Sequence, residues 1–190
     1  SGLIVFNLFA ECFNRAPRLI LANVNYVKRV VFPLEILVWV ALGSALFHSL
    51  VSILAWLLFY SLLFGLPHIS VFLLPIVILP LLFLTVGVSW FVASLGVYLR
   101  DIAQVTTILT TVLMFLSPIF YPASALPPNL RPVLLLNPLT PALEQIRGVL
   151  MWGQVPNFQI WALYLFVTSL FAWLGFVWFQ KTRKGFADVL

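Results

Sequence analysis

The sequence contains very few charged residues. Its ten Lys and Arg and five Asp and Glu make up 8% of 190 residues, against about 25% in soluble domains. Residues 36–99, 102–130 and 148–180 contain none at all. The hydrophobic fraction is 63%, and the mean hydropathy is +1.14. So few charges cannot cover a soluble fold, whereas about 20 apolar residues suffice for a helical span. The composition therefore predicts a membrane protein rather than a soluble helical core.

The alternation of apolar and polar residues that marks membrane β-barrel strands is also missing. Residues 51–63 and 71–84 are apolar without a two-residue period. Inside a bilayer, only helices and closed barrels satisfy their own backbone hydrogen bonds. We therefore predict an all-α fold, a polytopic bundle of transmembrane helices.

Residues that carry chemistry are scarce. Cys12 is the only cysteine, so an intrachain disulfide and a cysteine-rich metal site are excluded. Neither His48 nor His68 has a partner four residues on or a Cys or carboxylate nearby in the sequence, which argues against a metal site. His48 falls within an apolar segment, where an ionisable group is costly and often functional. The favoured interpretation is packing beside Ser44 and Ser49, or a short polar contact between helices.

Signatures of ATP and nucleic-acid binding are absent from the sequence. No Gly-x-x-x-x-Gly-Lys-Ser/Thr motif occurs, so any ATP would be bound by a partner. The net charge of +5 does not indicate nucleic acid, because the basic residues lie at the ends of apolar runs rather than on one stripe.

The apolar segments predict a topology. We expect a partial span over residues 1–22, followed by spans over about 34–64, 71–99, 102–120 and 158–180. The chain opens with Ser-Gly inside an apolar run and has no signal-peptide pattern, so we expect that it is cut or begins partway through a larger gene product.

The basic residues predict the orientation of these spans. Cytoplasmic segments carry an excess of Lys and Arg. If residues 15–29 are cytoplasmic, eight of the ten basic residues lie on that side, including the tail at 181–184, and only Arg131 and Arg147 lie outside. The sequence therefore predicts a cytoplasmic C-terminal tail.

Two polar stretches interrupt the apolar pattern. Residues 23–35 indicate a short amphipathic helix that ends at Pro33, or alternatively a solvated loop held by anionic lipid. The outer stretch, residues 117–148, is rich in proline.

The end of the outer stretch predicts a short helix. Thr140 is a candidate N-cap, and Pro141 suits a first turn. Glu144 and Arg147, three residues apart, are expected to pair on one face. A helix from here to Met151 is too short to span, so a re-entrant or interfacial position is expected.

Both stretches resemble the ABC-2 type permeases that export lipid-linked polysaccharides such as O-antigen, capsule and teichoic acid. The family's cytoplasmic segment, Asn-x-x-hydrophobic-hydrophobic-Lys-Lys/Arg-Val-x-Phe-Pro, is matched by Asn23, Tyr26, Val27, Lys28, Arg29, Val30, Phe32 and Pro33. The family's outer signature is matched by Ser117, Pro118, Tyr121, Pro122, Leu126, Pro127, Asn137, Pro138, Leu139, Thr140, Glu144 and Arg147. The likeness covers residues 6–184. Family members carry an interfacial helix, a first span and a complete second span before these motifs, so the resemblance implies an N-terminal truncation.

The resemblance implies one transmembrane permease domain over residues 1–190. Residues 23–33 would form a cytoplasmic coupling helix, and residues 121–157 an outer gate region with short re-entrant helices. Arg15 and Arg18 would attract a pyrophosphate head group.

The resemblance also implies the partners. The chain would be a permease subunit rather than an enzyme, working as a homodimer in the bacterial inner (cytoplasmic) membrane. It would hold no cofactor itself, because ATP and Mg would be bound by two copies of a separate ABC ATPase. The other partners would be membrane lipids and the lipid-linked polysaccharide, with no nucleic acid.

Three alternatives remain at this point. The chain could be an ABC-2 exporter of a drug or lipid, which would share the spans and the coupling helix. A membrane glycosyltransferase or polymerase acting on polyprenyl-linked sugars predicts clustered Asp or Glu near one membrane face, and no such cluster occurs. The last alternative is a non-catalytic membrane scaffold.

Overall fold

The computed structural model describes residues 2–23, 33–99, 101–120, 134 and 137–189, apart from the side chains of Ala187 and Asp188. No strand occurs in these residues, which confirms the predicted all-α class. The helices within these ranges are α1 (Gly2–Leu19), α2 (Ile36–Phe64), α3 (Leu74–Val77), α4 (Leu79–Tyr98), α5 (Ile102–Leu116), α6 (Thr140–Met151), α7 (Phe158–Thr182) and α8 (Phe186–Val189), with 3₁₀ turns at Leu21–Asn23, Ile69–Leu73 and Arg183–Gly185.

Three helical segments of the described chain are long and apolar enough to cross a membrane: Ile36–Phe64, Ile69–Tyr98 and Phe158–Gly185. The first contains 29 residues, about 43 Å of helix, against a hydrocarbon core of about 30 Å. The second is interrupted at Ile78, between α3 and α4, and each of these helices has a proline in its first turn. The protein is therefore a membrane protein.

Helix α5 ends earlier than the predicted segment. The sequence predicts a span over 102–120, whereas α5 stops at Leu116 and Ser117 is extended. The following Pro118 accounts for this end, because a residue before proline is disfavoured in the helical conformation. With 15 residues, α5 is about 22 Å long. It is therefore shorter than the hydrocarbon core of a bilayer, which is about 30 Å thick.

Helix α1 lies at the centre of the described bundle. It packs against α2, α4, α5 and α6, and Phe6, Phe9 and Phe13 are buried along it. It approaches α4 closely at Gly96, where an added Cβ would lie 2.7 Å from the Cα of Pro17. The polar residues of α1 lie on another face of the helix from these phenylalanines, and this packing brings them next to α2.

Helices α4 and α7 form the most extensive helix pair of the described chain. Their backbones approach at two glycines. A Cβ on Gly87 would lie 2.8 Å from the Cα of Ala172, and one on Gly175 would overlap the carbonyl oxygen of Gly87. Small residues at such positions allow close van der Waals packing, which holds membrane helices together in the absence of a hydrophobic driving force between them.

Candidate functional site

One face of α1 carries an unusual row of polar side chains. Asn7, Glu11 and Asn14 follow one another at spacings of four and three residues, and Arg15 lies beside them. Such spacings place side chains on the same face of a helix. The Arg15 guanidinium donates to Glu11 Oε1 at 3.2 Å. The otherwise apolar helix therefore has one polar side.

Helix α2 presents a matching polar row to α1. Ser44, His48 and Ser52 are four residues apart, again on one helical face. His48 Nδ1 lies 3.1 Å from Glu11 Oε1 and 3.0 Å from Oε2, and Arg15 also donates to Ser44 Oγ at 3.2 Å. The polar contact between helices expected for His48 is confirmed, and its partner is the Glu11 carboxylate, which sequence proximity did not indicate.

The two rows enclose a groove of about 390 Å³, called the polar groove below. Its polar lining residues are Asn7, Glu11, Asn14, His48, Ser49 and Ser52. Helix α5 extends this polar network, because the Thr110 hydroxyl donates to Asn14 Oδ1 at 3.0 Å. The groove therefore offers a carboxylate, an imidazole, amides and hydroxyls within one small volume.

The polar groove lies well inside the apolar span. His48 is twelve residues into α2, about 18 Å from the start of the helix. Its side chain is 61% exposed and that of Glu11 is 27% exposed, so both are reached from outside the described bundle. Ionisable groups at such depth are costly in lipid and face protein or water-filled cavities. The polar groove is therefore the strongest candidate for a functional surface in the spans.

A metal site in the polar groove is not supported. Among the residues that the structure describes, no group of three or more His, Cys, Asp and Glu side chains is placed to hold a metal ion. Glu11 and His48 supply two such ligands, whereas zinc sites with catalytic roles use three protein ligands.

The predicted coupling segment is described only at its two ends. Asn23 closes the 3₁₀ turn after α1 and donates through Nδ2 to the Leu19 carbonyl oxygen at 2.8 Å. Pro33 accepts a hydrogen bond from the Ile36 amide at 3.1 Å. The other six residues lie outside the described residues: Tyr26, Val27, Lys28, Arg29, Val30 and Phe32. The coupling role stays a prediction.

The two predicted head-group residues differ in their surroundings. Arg15 contacts Glu11 and Ser44, although its side chain is 48% exposed. Arg18 is exposed in the last turn of α1. Head-group binding stays a prediction for both.

Several of the predicted outer residues meet around a buried arginine. The Arg147 side chain, 6% exposed, donates to Glu144 Oε1 at 2.7 Å, which confirms the predicted pair. Its second nitrogen donates to the carbonyl oxygens of Pro118 and, at 2.9 Å, Ile119. This set, called the outer clasp below, fastens α6 to the chain leaving α5.

A second buried contact supports the outer clasp. Asn137 Nδ2 donates to Ser117 Oγ at 2.7 Å, and Asn137 Oδ1 accepts from the Leu139 amide at 3.0 Å. The Tyr164 hydroxyl of α7 donates to the carbonyl oxygen of Pro138 at 2.6 Å. Three helices are thus linked through the Asn-Pro-Leu segment. Of the remaining predicted gate residues, Tyr121 and Pro122 lie outside the described residues.

The predicted N-cap of α6 is wrong. Thr140 is the first residue of the helix, Leu139 occupies the cap position without a side-chain cap, and Pro141 lies in the first turn as expected. Thr140 Oγ1 is buried with no hydrogen-bond partner in the described part of the chain. The Asn137 side chain instead accepts an amide just before the helix, a local hydrogen bond typical of Asn in turns.

Sequence reasoning missed most of the polar groove. The spacing of Asn7, Glu11 and Asn14 was a detectable signal, because it marks a polar face on an apolar helix. The position of that face opposite His48 depends on the packing of helices whose contacting residues are 37 positions apart.

The chain matches the protein family described as "ABC-2 type transporter" over residues 1–151. It therefore belongs to this family. It is also similar to two proteins of Klebsiella pneumoniae named "O-antigen export system permease protein RfbA", with 22% identity over 191 residues and 23% over 194, each alignment covering 100% of this chain and 73% of the relative. A protein of the same name from Myxococcus xanthus is 23% identical over 190 residues, covering 98% of this chain and 73% of the relative.

Proposed function

We propose that this protein is the membrane permease of an ABC exporter that moves a lipid-linked polysaccharide of the O-antigen, capsule or teichoic acid type across the cytoplasmic membrane. The observation that carries the proposal is the polar groove. Glu11, His48 and Asn14 are reached from outside the described bundle at membrane depth, and polar groups in such positions mark substrate pathways. The similarity to O-antigen export permeases along the whole chain supports the same cargo.

The chemistry of the polar groove suits a sugar polymer. Carboxylate oxygens accept hydrogen bonds, amides both donate and accept, and hydroxyls do either by rotation. A polysaccharide presents hydroxyl groups along its length, and each of them can donate or accept a hydrogen bond. A groove with Glu11, Asn7 and Ser52 on its walls would exchange these hydrogen bonds as the chain advances, without one tight binding point.

Energy would come from a separate ABC ATPase, in keeping with the family and with the absence of a P-loop motif in this sequence. In the proposed assembly, two permease copies stand on two ATPase subunits, which bind ATP and Mg. The segment between Asn23 and Pro33 couples them by docking on the ATPase. The distribution of basic residues supports an orientation with this segment and the C-terminal tail in the cytoplasm.

The two ends of the pathway follow from this orientation. On the cytoplasmic side, Arg18 presents an exposed guanidinium to a pyrophosphate head group, and Arg15 contributes from beside Glu11. On the outer side, the outer clasp around Arg147 holds α6 as part of the exit gate. Release of this clasp would allow α6 to move away from the end of α5.

Disruption of the gene in its own host tests the proposal. Polysaccharide is measured with a labelled lectin or antibody on intact cells and again after permeabilisation. We expect the surface signal to be lost and the internal signal to rise, because polymer made in the cytoplasm cannot leave. Complementation with the intact gene should restore the surface signal.

Other outcomes of this experiment identify the alternatives. Loss of the polymer from both intact and permeabilised cells would indicate a glycosyltransferase or polymerase. An unchanged surface polymer with a changed sensitivity to drugs or a changed lipid distribution would indicate a different export cargo. Either result would overturn the proposed function.

A further inference from the structure

A second surface feature, remote from the polar groove, lies between α4 and α7. A crevice of about 410 Å³ opens there, with Phe91, Phe171 and Leu174 among its apolar walls. Ligand-binding cavities in proteins are usually about 300–1,000 Å³ and mostly apolar. We call this feature the α4–α7 crevice.

The shape of the α4–α7 crevice is fixed by specific contacts. The Trp178 indole donates to Ser94 Oγ at 2.7 Å, which ties α7 to α4. The Phe91 ring lies 5.4 Å from the Trp178 ring. Gly175 also lines the crevice, and there the backbones of α7 and α4 are in contact, because a Cβ on Gly175 would meet the backbone of Gly87. The crevice is therefore preformed.

One end of the α4–α7 crevice is basic. Lys181 and Val177 also line an adjoining depression of about 470 Å³, whose other walls include Arg183 and Lys184. Arg183 is paired with Glu35 at 2.9 Å. None of the ion pairs among the described side chains involves Lys181 or Lys184. The apolar crevice thus adjoins a depression whose lining includes three cationic side chains.

We propose that the α4–α7 crevice binds an anionic glycerophospholipid. One acyl chain lies in the crevice between Phe171 and Trp178, and the head-group phosphate lies between Lys181 and Lys184. The lysines stand at the end of an apolar span, the level at which lipid head groups meet cationic side chains. A zwitterionic lipid carries the same phosphate but adds an ammonium group that the lysines repel, and a free phosphate ion would leave the apolar walls unused. An anionic lipid matches both parts.

The site is independent of the proposed transport function. It lies on α4 and α7, whereas the polar groove lies on α1 and α2. It would hold a lipid of the surrounding membrane, whatever the exported cargo. A lipid bound at this position would fix the cytoplasmic ends of the two helices relative to each other.

Lipid retention measured by native mass spectrometry tests the site. The purified protein is incorporated into nanodiscs of equimolar phosphatidylglycerol and phosphatidylcholine, and the lipids that stay bound after release are identified. We expect phosphatidylglycerol to be retained over phosphatidylcholine. In Lys181→Gln/Lys184→Gln, the preference should fall by about five-fold for each lysine removed. The matched Lys181→Arg/Lys184→Arg variant keeps both charges and should retain it.

A second pair of variants tests the apolar half. Leu174→Trp should fill the crevice and expel the retained lipid. Leu163→Trp makes the same change on α7 at an exposed position that does not line the crevice, and it should leave retention unchanged. Equal retention of both lipids by the unsubstituted protein, or a preference that survives the Lys→Gln changes, would overturn the site. Unchanged retention in Leu174→Trp would overturn the placement of the acyl chain.

Discussion

Glu11 of α1 and His48 of α2 face each other at membrane depth, with His48 Nδ1 within 3.1 Å of both carboxylate oxygens. The same carboxylate accepts from Arg15 at 3.2 Å. The contact links two helices that are also joined by the Arg15–Ser44 hydrogen bond of 3.2 Å, and both of its residues line the polar groove. It is therefore a structural bond between α1 and α2 and also part of the polar surface that we propose for the cargo.

The structural part of this contact predicts an energetic coupling between the two residues. In a double-mutant cycle of Glu11→Ala and His48→Ala, we expect a coupling free energy of about 0.5–1.5 kcal/mol, because interhelical hydrogen bonds in membranes contribute about that much. The measurement is the free energy of unfolding in bicelles. Ser61 of α2, whose hydroxyl donates to the nearby Leu58 carbonyl oxygen, provides the control. Glu11→Ala and Ser61→Ala should be additive, and additivity for Glu11 with His48 would contradict the contact.

The functional part predicts a loss of export without a loss of protein. Asn7 is exposed on the α1 wall of the polar groove, and Asn7→Leu removes a donor and an acceptor while presenting an apolar surface to lipid or cargo. We expect the ratio of surface to internal polysaccharide to fall several-fold at unchanged protein abundance in the membrane. Leu3 is exposed on α1 but does not line the groove. Leu3→Asn makes the reverse change in polarity there and serves as the control. Full export by Asn7→Leu would argue against a pathway at this groove.

The outer clasp predicts that Arg147 cannot be replaced by lysine without cost. Arginine bonds two backbone carbonyl oxygens and Glu144 at the same time, through a planar fork that the lysine ammonium cannot reproduce. We expect Arg147→Lys to lose about 1–3 kcal/mol, and Arg147→Met about 3–5 kcal/mol, since breaking a buried charge pair costs that much. The midpoint of thermal unfolding in detergent measures both. Equal stability of Arg147→Lys and the unsubstituted protein would show that the clasp depends on charge alone.

Contacts between residues close in the sequence were predicted well, and contacts between residues distant in the sequence were not. The Glu144–Arg147 pair follows from a three-residue spacing on one helix, and the structure confirms it at 2.7 Å. The all-α class follows from uncharged runs long enough to span a membrane. By contrast, Glu11 and His48 meet because α1 and α2 pack with a particular rotation about their axes, and hydrophobicity that is nearly uniform around α2 does not encode that rotation.

The errors at the helix ends have local causes. Thr140 has the right residue type for an N-cap, but Asn137 is already placed to accept an amide before the helix. The predicted end of α5 followed apolar composition as far as Phe120, whereas Pro118 sets the actual end at Leu116. In both cases, the backbone conformation determines where the helix begins or ends, and residue type alone does not.

The close packing of α4 and α7 predicts that Gly175 tolerates no side chain. A Cβ there would overlap the carbonyl oxygen of Gly87, a backbone atom that cannot move away by changing rotamer. We expect Gly175→Ala to cost about 1–3 kcal/mol, as overpacking of a well-packed interface does. Gly43 of α2 is the matched control, because an added Cβ there has no atom within 4 Å, and alanine favours the helix by about 1 kcal/mol. Thermal unfolding should therefore distinguish the two, and equal tolerance would contradict the helix contact.

The ion pair between Glu35 and Arg183 predicts that their charges can be exchanged. Arg183 Nη1 lies 2.9 Å from Glu35 Oε2, which ties the end of α7 to the start of α2, directly after the proposed coupling segment. The side chains are 40% and 22% exposed, so solvent screens the pair and its contribution is about 0.2–1 kcal/mol. Glu35→Arg or Arg183→Glu alone brings like charges together, and each should lower the unfolding midpoint by about 2–4 °C. The double exchange, Glu35→Arg with Arg183→Glu, should recover most of this loss of stability. If the pair positions the coupling segment, the double exchange should also restore the yield of a co-purified ABC ATPase. A double variant no more stable than either single variant would show that the two residues do not act as a pair.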